Sequence, residues 1–125
     1  MVRAALIIIG ACLGLSVPLP AASQSITGND IYDQCVSESP GCTHYVAGVL
    51  DGLQFFNAVS DPSLYCIPSG VTNKQLIDIF RRFLTENPEH RHRPASYILV
   101  VAISEAYPCE NGAVRFAPTG GLILP

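Results

Sequence analysis

The sequence predicts an all-α fold, a small disulfide-stapled bundle of about four helices. Three observations carry that reading. Apolar residues recur at helical spacing in successive stretches. Capping and stop signals bracket those stretches, most clearly at Thr72 and Asn87-Pro88. Two cysteines, Cys66 and Cys109, stand just before the third stretch and just after the fourth. Helices packed antiparallel bring those two places together, so a bridge there would staple a helical hairpin at its open end. Closing a loop of that size stabilises by roughly 4 kcal/mol, a large share of a small domain's total.

Whether such a bridge forms depends on the compartment. Residues 1–23 read as a secretory signal: Met1-Val2-Arg3 is positive, Ala4–Val17 is apolar, and Ala21-Ala22-Ser23 supplies small residues for cleavage. The apolar run is about 14 residues, short for a membrane span. Ile9-Gly10-Ala11-Cys12 has the look of a lipoprotein processing box, but sits early with more apolar sequence after it. Periplasmic export is therefore expected, with no membrane association of the mature form unless Cys12 is lipidated.

Cleavage would leave residues 24–109 as one helical domain and 110–125 as a loose tail. Cys35, Cys42, Cys66 and Cys109 would remain. An even number of cysteines in an exported small chain reads as a disulfide framework. Of three possible pairings, Cys35–Cys42 with Cys66–Cys109 is favoured. Metal binding is not expected, because the chain has neither Cys-x-x-Cys nor His-x-x-x-His. Without Arg3, six basic side chains face ten acidic ones and no basic run occurs, which argues against a nucleic-acid partner.

The elements follow in order. Thr27 caps a first helix over about Gly28–Ser37, with Asp30 in its first turn. Ser39 and Pro40 open a second helix to about Ala58, with Tyr45, Val46, Val49, Leu50, Leu53 and Phe56 as its apolar set. Gly48 and Gly52 share a face, which suits either close packing within the domain or a subunit contact. Ser60-Asp61-Pro62-Ser63 is a turn signal. Thr72 with Gln75 forms a capping box for the third helix, whose stripe is Leu76, Ile77, Phe80, Phe83 and Leu84. Asp78 and Arg82 pair at helical spacing outside it. The loop Glu86–Arg93 carries six titratable residues in eight and is either a solvated connector or a partner-contacting tip. A fourth helix from Pro94 to about Tyr107 is apolar around much of its circumference, as a central or interfacial helix would be. After Cys109, three glycines and two prolines argue for a loose tail, with Leu122–Leu124 a docking candidate.

Catalytic chemistry is what the sequence lacks. It has no phosphate-binding glycine loop and no metal quartet, and every mature cysteine serves better as half a bridge. No catalytic residue and no cofactor is assigned. The residues describe an exported helical binding module.

Four segments then carry a resemblance: Tyr45-Val46-x-Gly48-x-x-Asp51, Cys66-Ile67-Pro68-x-x-Val71-Thr72-x-x-Gln75-Leu76, the Leu84…Asn87-Pro88-Glu89 corner, and Ala102…Glu105-Ala106-Tyr107-Pro108-Cys109. Over about Asn29–Cys109 the chain resembles the Rap/Tai family of periplasmic immunity proteins. The resemblance implies a helical domain, often dimeric, that occludes a papain-like peptidoglycan amidase delivered by type VI secretion. It also implies that the loop between the last two main helices enters the enzyme's groove. On this sequence that loop is Glu86–Arg93, with Glu89, His90, Arg91 and His92 as the groove-contacting residues. The long tail and the dense His/Arg tip depart from the family's pattern. A small acid-stress chaperone and an envelope-assembly subunit stand as rival roles for the same architecture.

Overall fold

A computed structural model describes residues 24–60 and 63–125. The predicted signal 1–23, with Cys12, and the Asp61-Pro62 pair of the predicted turn lie outside the described residues.

The chain forms a four-helix bundle with two disulfides. Helix α1 spans Gly28–Val36, α2 Pro40–Val59, α3 Asn73–Glu86 and α4 Ala95–Ala106. A 3-10 turn at Pro88–His90 lies between α3 and α4. Thr27 and Thr72 each cap a helix through a full capping box, with Asp30 and Gln75 reaching back to the cap's own N–H. Ser39 stands at the α2 N-cap without a side-chain cap bond, so that start relies on Pro40 at the first position.

Helix α4 is the centre. Eight of its residues, from Ala95 to Ser104, are buried. Leu76, Phe80 and Leu84 of α3 pack against it, and α2 contributes Val46 and Leu50 to the same core. Burying a side chain of this size stabilises by about 1.5–3 kcal/mol. Both favoured disulfides form: Cys35–Cys42 ties α1 to α2, and Cys66–Cys109 closes the open end of the α3–α4 hairpin. Beside the latter, Cys66 N–H donates to Tyr107 O at 3.0 Å. Asn57 holds the chain leaving α2, accepting from Leu64 N–H at 2.6 Å and donating to Tyr65 O at 3.1 Å.

Four expectations need correcting. The segment after Cys109 is not loose: Arg115–Phe116 (β1) and Leu122–Ile123 (β2) pair antiparallel. Val114 before them is fully buried, and its N–H donates to the buried Ser104 Oγ at 2.7 Å. Glycine and proline here shape a tight hairpin, with Gly120 at φ +97°. Second, Asp78 pairs with Arg81 at 2.6 Å and Lys74 at 3.1 Å, not with Arg82. Arg81 also meets Glu38, which sits at positive φ in the α1–α2 corner; that third charge draws Arg81 in. Third, Phe56 is 51 % exposed, because α2 extends past the core at its C-terminal end. Fourth, of the two uses open to Gly48 and Gly52, close packing within the domain does not occur: a Cβ at either would meet no atom of the described residues within 4 Å.

Candidate functional site

The loop between α3 and α4 begins where α3 leaves its last carbonyls without helical partners. Asn87 answers one of them, donating to Phe83 O from both its backbone N–H and its Nδ2 at 3.0 Å. Arg91 answers two more: Nε donates to Leu84 O at 2.6 Å and a terminal nitrogen to Thr85 O at 3.4 Å. A cation there also opposes the negative end of the helix dipole. The 3-10 turn then closes through His90 N–H to Asn87 O, Arg91 N–H to Pro88 O and Arg93 N–H to His90 O, at 3.0–3.3 Å.

Two segments distant in sequence grip this loop. On one side run Ile26 and the first residues of α1. Asn29 N–H donates to Arg91 O at 2.8 Å, Gly28 N–H to Arg93 O at 3.0 Å, and Ala95 N–H to Ile26 O at 2.7 Å. Gly28 is needed for this approach, since a Cβ there would stand 2.6 Å from Ile98 Cδ1 and 2.9 Å from Arg91 O. The Arg91 guanidinium lies 3.5 Å from the centre of the Tyr32 ring of α1. On the other side is the C-terminal hairpin. The rings of His90, Phe83 and Phe116 form a triangle, with His90 at centroid distances of 6.4 Å from Phe83 and 4.5 Å from Phe116.

The four groove-contacting candidates therefore divide. Glu89 and His92 are exposed, while His90 and Arg91 are half-buried and engaged with the protein's own rings and carbonyls. Glu89 Oε1 stands 3.9 Å from His90 Nε2. The sequence marked the loop by its charge density but gave no sign of the internal work done by Arg91, which depends on Tyr32 from another helix. It gave none of Phe116 either, a residue remote from the loop in sequence. Among the described residues, no three His, Cys, Asp or Glu side chains gather as metal ligands.

A second surface feature is apolar. A cleft of about 310 Å³ opens between the end of α2, the start of α4 and the C-terminal hairpin, lined by Leu53, Phe56, Tyr97, Val100, Leu122 and Leu124. Elsewhere on α2, Phe55 and Val59 are 73 and 67 % exposed. None of the helices among the described residues is long and apolar enough to cross a membrane.

Residues 27–109 match the model of one protein family, described as Rap1a immunity proteins. The match begins at the Thr27 cap, ends at the second cysteine of the clamp and includes the whole α3–α4 loop. The chain matches no curated protein and no solved structure.

Proposed function

We propose, on the premise that this chain belongs to the Rap1a immunity protein family, that it is a periplasmic inhibitor of a type VI secretion peptidoglycan amidase. It acts by placing the α3–α4 loop in the enzyme's groove. The observation that carries the reading is the state of that loop. It is held from both sides by backbone bonds and ring contacts, while Glu89 and His92 face outward. A loop already held in one shape gives up little conformational freedom on binding. Charged side chains at its crest supply specificity and speed of association.

Export through residues 1–23 belongs to the same proposal, because both disulfides require an oxidising space. The reading also includes a homodimer formed through the outer face of α2. Gly48 and Gly52 leave that face flat, and Phe55 and Val59 stand out from it without a partner.

The test is a peptidoglycan-cleavage assay with a panel of type VI secretion peptidoglycan amidases, carried forward with the one the chain binds. The mature oxidised chain stops cleavage, and Glu89→Ala with His92→Ala restores it by about tenfold or more without altering the melting temperature. Full inhibition by the double variant would remove the loop from the mechanism. The apolar cleft favours a second reading, an acid-stress chaperone. Capture of many unfolded clients near pH 3, with the amidase left active at neutral pH, would establish that reading instead.

A further inference from the structure

The family match stops at Cys109, yet the residues beyond it reach back to the α3–α4 loop. The path is continuous. Val114, fully buried, is fixed by its N–H bond to Ser104 Oγ on the central helix. Phe116 follows two residues later on β1, and β2 pairs with it through the Phe116–Leu122 register. Ala117 N–H to Gly121 O and Gly120 N–H to Ala117 O, at 2.9 and 3.1 Å, close the turn.

From this anchored strand the Phe116 ring meets His90 at 4.5 Å and Phe83 at 6.4 Å. The Arg93 guanidinium lies 4.4 Å from the centre of the same ring, and a terminal nitrogen donates to Ala117 O at 3.4 Å. One ring thus touches the last turn of α3, the 3-10 turn, and the end of the loop. Aromatic pairs and a cation over a ring each add on the order of 0.5–1 kcal/mol beyond burial. Among the described residues, no backbone bond from outside the loop reaches His90: Asn29 and Gly28 bond the carbonyls of Arg91 and Arg93, and Ile26 O accepts from Ala95 N–H.

We infer that the C-terminal hairpin is a brace for the partner-binding loop, with Phe116 as its positioning residue, so that a segment outside the family match sets how tightly this chain holds its amidase. The inference rests on the immunity reading and deepens it. Phe116 need not touch the enzyme; it fixes His90 and thereby the crest on either side, Glu89 and His92. A ring lost there leaves the bundle intact, because the core is built around α4 and Phe116 is a half-buried residue at its edge.

The experiment uses the mature oxidised chain and two variants, Phe116→Ala and Phe116→Tyr. Amide hydrogen exchange at His90, Arg91 and Arg93 is read without any partner, and inhibition is read with the amidase that the chain binds among a panel of type VI secretion peptidoglycan amidases. Phe116→Ala speeds exchange of those three amides and raises the inhibition constant, each by about tenfold, while the melting temperature stays within a few degrees. Phe116→Tyr, which keeps the ring, restores both. Unchanged exchange in Phe116→Ala overturns the brace. Faster exchange with undiminished inhibition overturns its role in binding. Should the wild-type chain leave the amidase active, the immunity reading falls, and the brace's role in inhibition with it, while exchange alone still decides whether the hairpin holds the loop.

Discussion

The α3–α4 loop and the outer face of α2 are built on opposite plans. The loop is polar and titratable, yet its backbone and half its side chains are tied into the protein, by Gly28 and Tyr32 on one side and Phe116 on the other. The α2 face carries large apolar side chains, yet neither Gly48 nor Gly52 meets a neighbour and Phe55 is 73 % exposed. Composition alone would have given the opposite assignment, with charges free and apolar groups packed. A polar segment held rigid and an apolar one left bare are each costly for a monomer. Both make sense for a chain whose surfaces are completed by partners.

The largest effect expected is loss of the Cys66–Cys109 staple, which lies at the opposite end of the α3–α4 hairpin from the loop. Replacing both cysteines by serine should destabilise by roughly 4 kcal/mol and lower the melting temperature by roughly 15–25 °C. Calorimetry checks the size. Hydrogen exchange sharpens the comparison: in the protein that remains folded, His90, Arg91 and Arg93 should keep their protection, because their restraints lie elsewhere.

Next in size is Gly28→Ala. The new Cβ would press on Ile98 Cδ1 at 2.6 Å and on the Arg91 backbone at 2.9–3.0 Å. Backbone cannot step aside as a flexible side chain does, so a cost of about 1–3 kcal/mol is expected. The displacement falls on the loop. Chemical denaturation should show the lost stability, and amidase inhibition should weaken more than in a core variant of equal stability.

Much of the bundle was legible because its causes are local. Thr72 and Gln75 are three residues apart, Asn87-Pro88 is a dipeptide, and the stripe Leu76, Phe80, Leu84 repeats every four residues. The Cys66–Cys109 pairing followed from the antiparallel run of two helices, and Cys35–Cys42 from a seven-residue corner. What the sequence concealed is held by contacts across long separations. The C-terminal hairpin has strands of two residues, too short for any alternation, and depends on Ser104 and Phe83 for its place. Arg91 reads as one more surface charge until Tyr32 lies under it. Gly28 reads as an ordinary first-turn residue until the loop backbone comes within reach. The loop was thus found by its composition, and its rigidity only by its neighbours.

A smaller effect tests the segment ahead of α1 from the other direction. Thr27 caps α1 and pairs with Pro94 at the loop's end, so Thr27→Ala should cost about 1 kcal/mol. The Thr27 hydroxyl, and then its backbone N–H, hold the Asp30 carboxyl below its ordinary 3.8. A group lowered on folding stabilises the native state above its unfolded pKa and loses that contribution as pH falls through the folded one. The wild-type chain should therefore lose stability below pH 3.8 more steeply than Asp30→Asn does. Parallel melting curves for the two proteins across acid pH would show that the Asp30 bond adds nothing.

The smallest change in stability is expected on the α2 face, and it bears most directly on the contrast between the two regions. Phe55 and Val59 are mostly in water, so Phe55→Ser with Val59→Ser removes almost no buried area and should alter monomer stability by no more than about 0.5 kcal/mol. If the face is completed by a second copy, the double variant should shift light-scattering mass from dimer to monomer and remove any concentration dependence of the melting temperature. Inhibition per chain should persist, since Glu89 and His92 lie on the α3–α4 loop and neither of the substituted residues does. An equal loss of inhibition in the monomeric variant would instead join the two regions into one surface, with the enzyme spanning both.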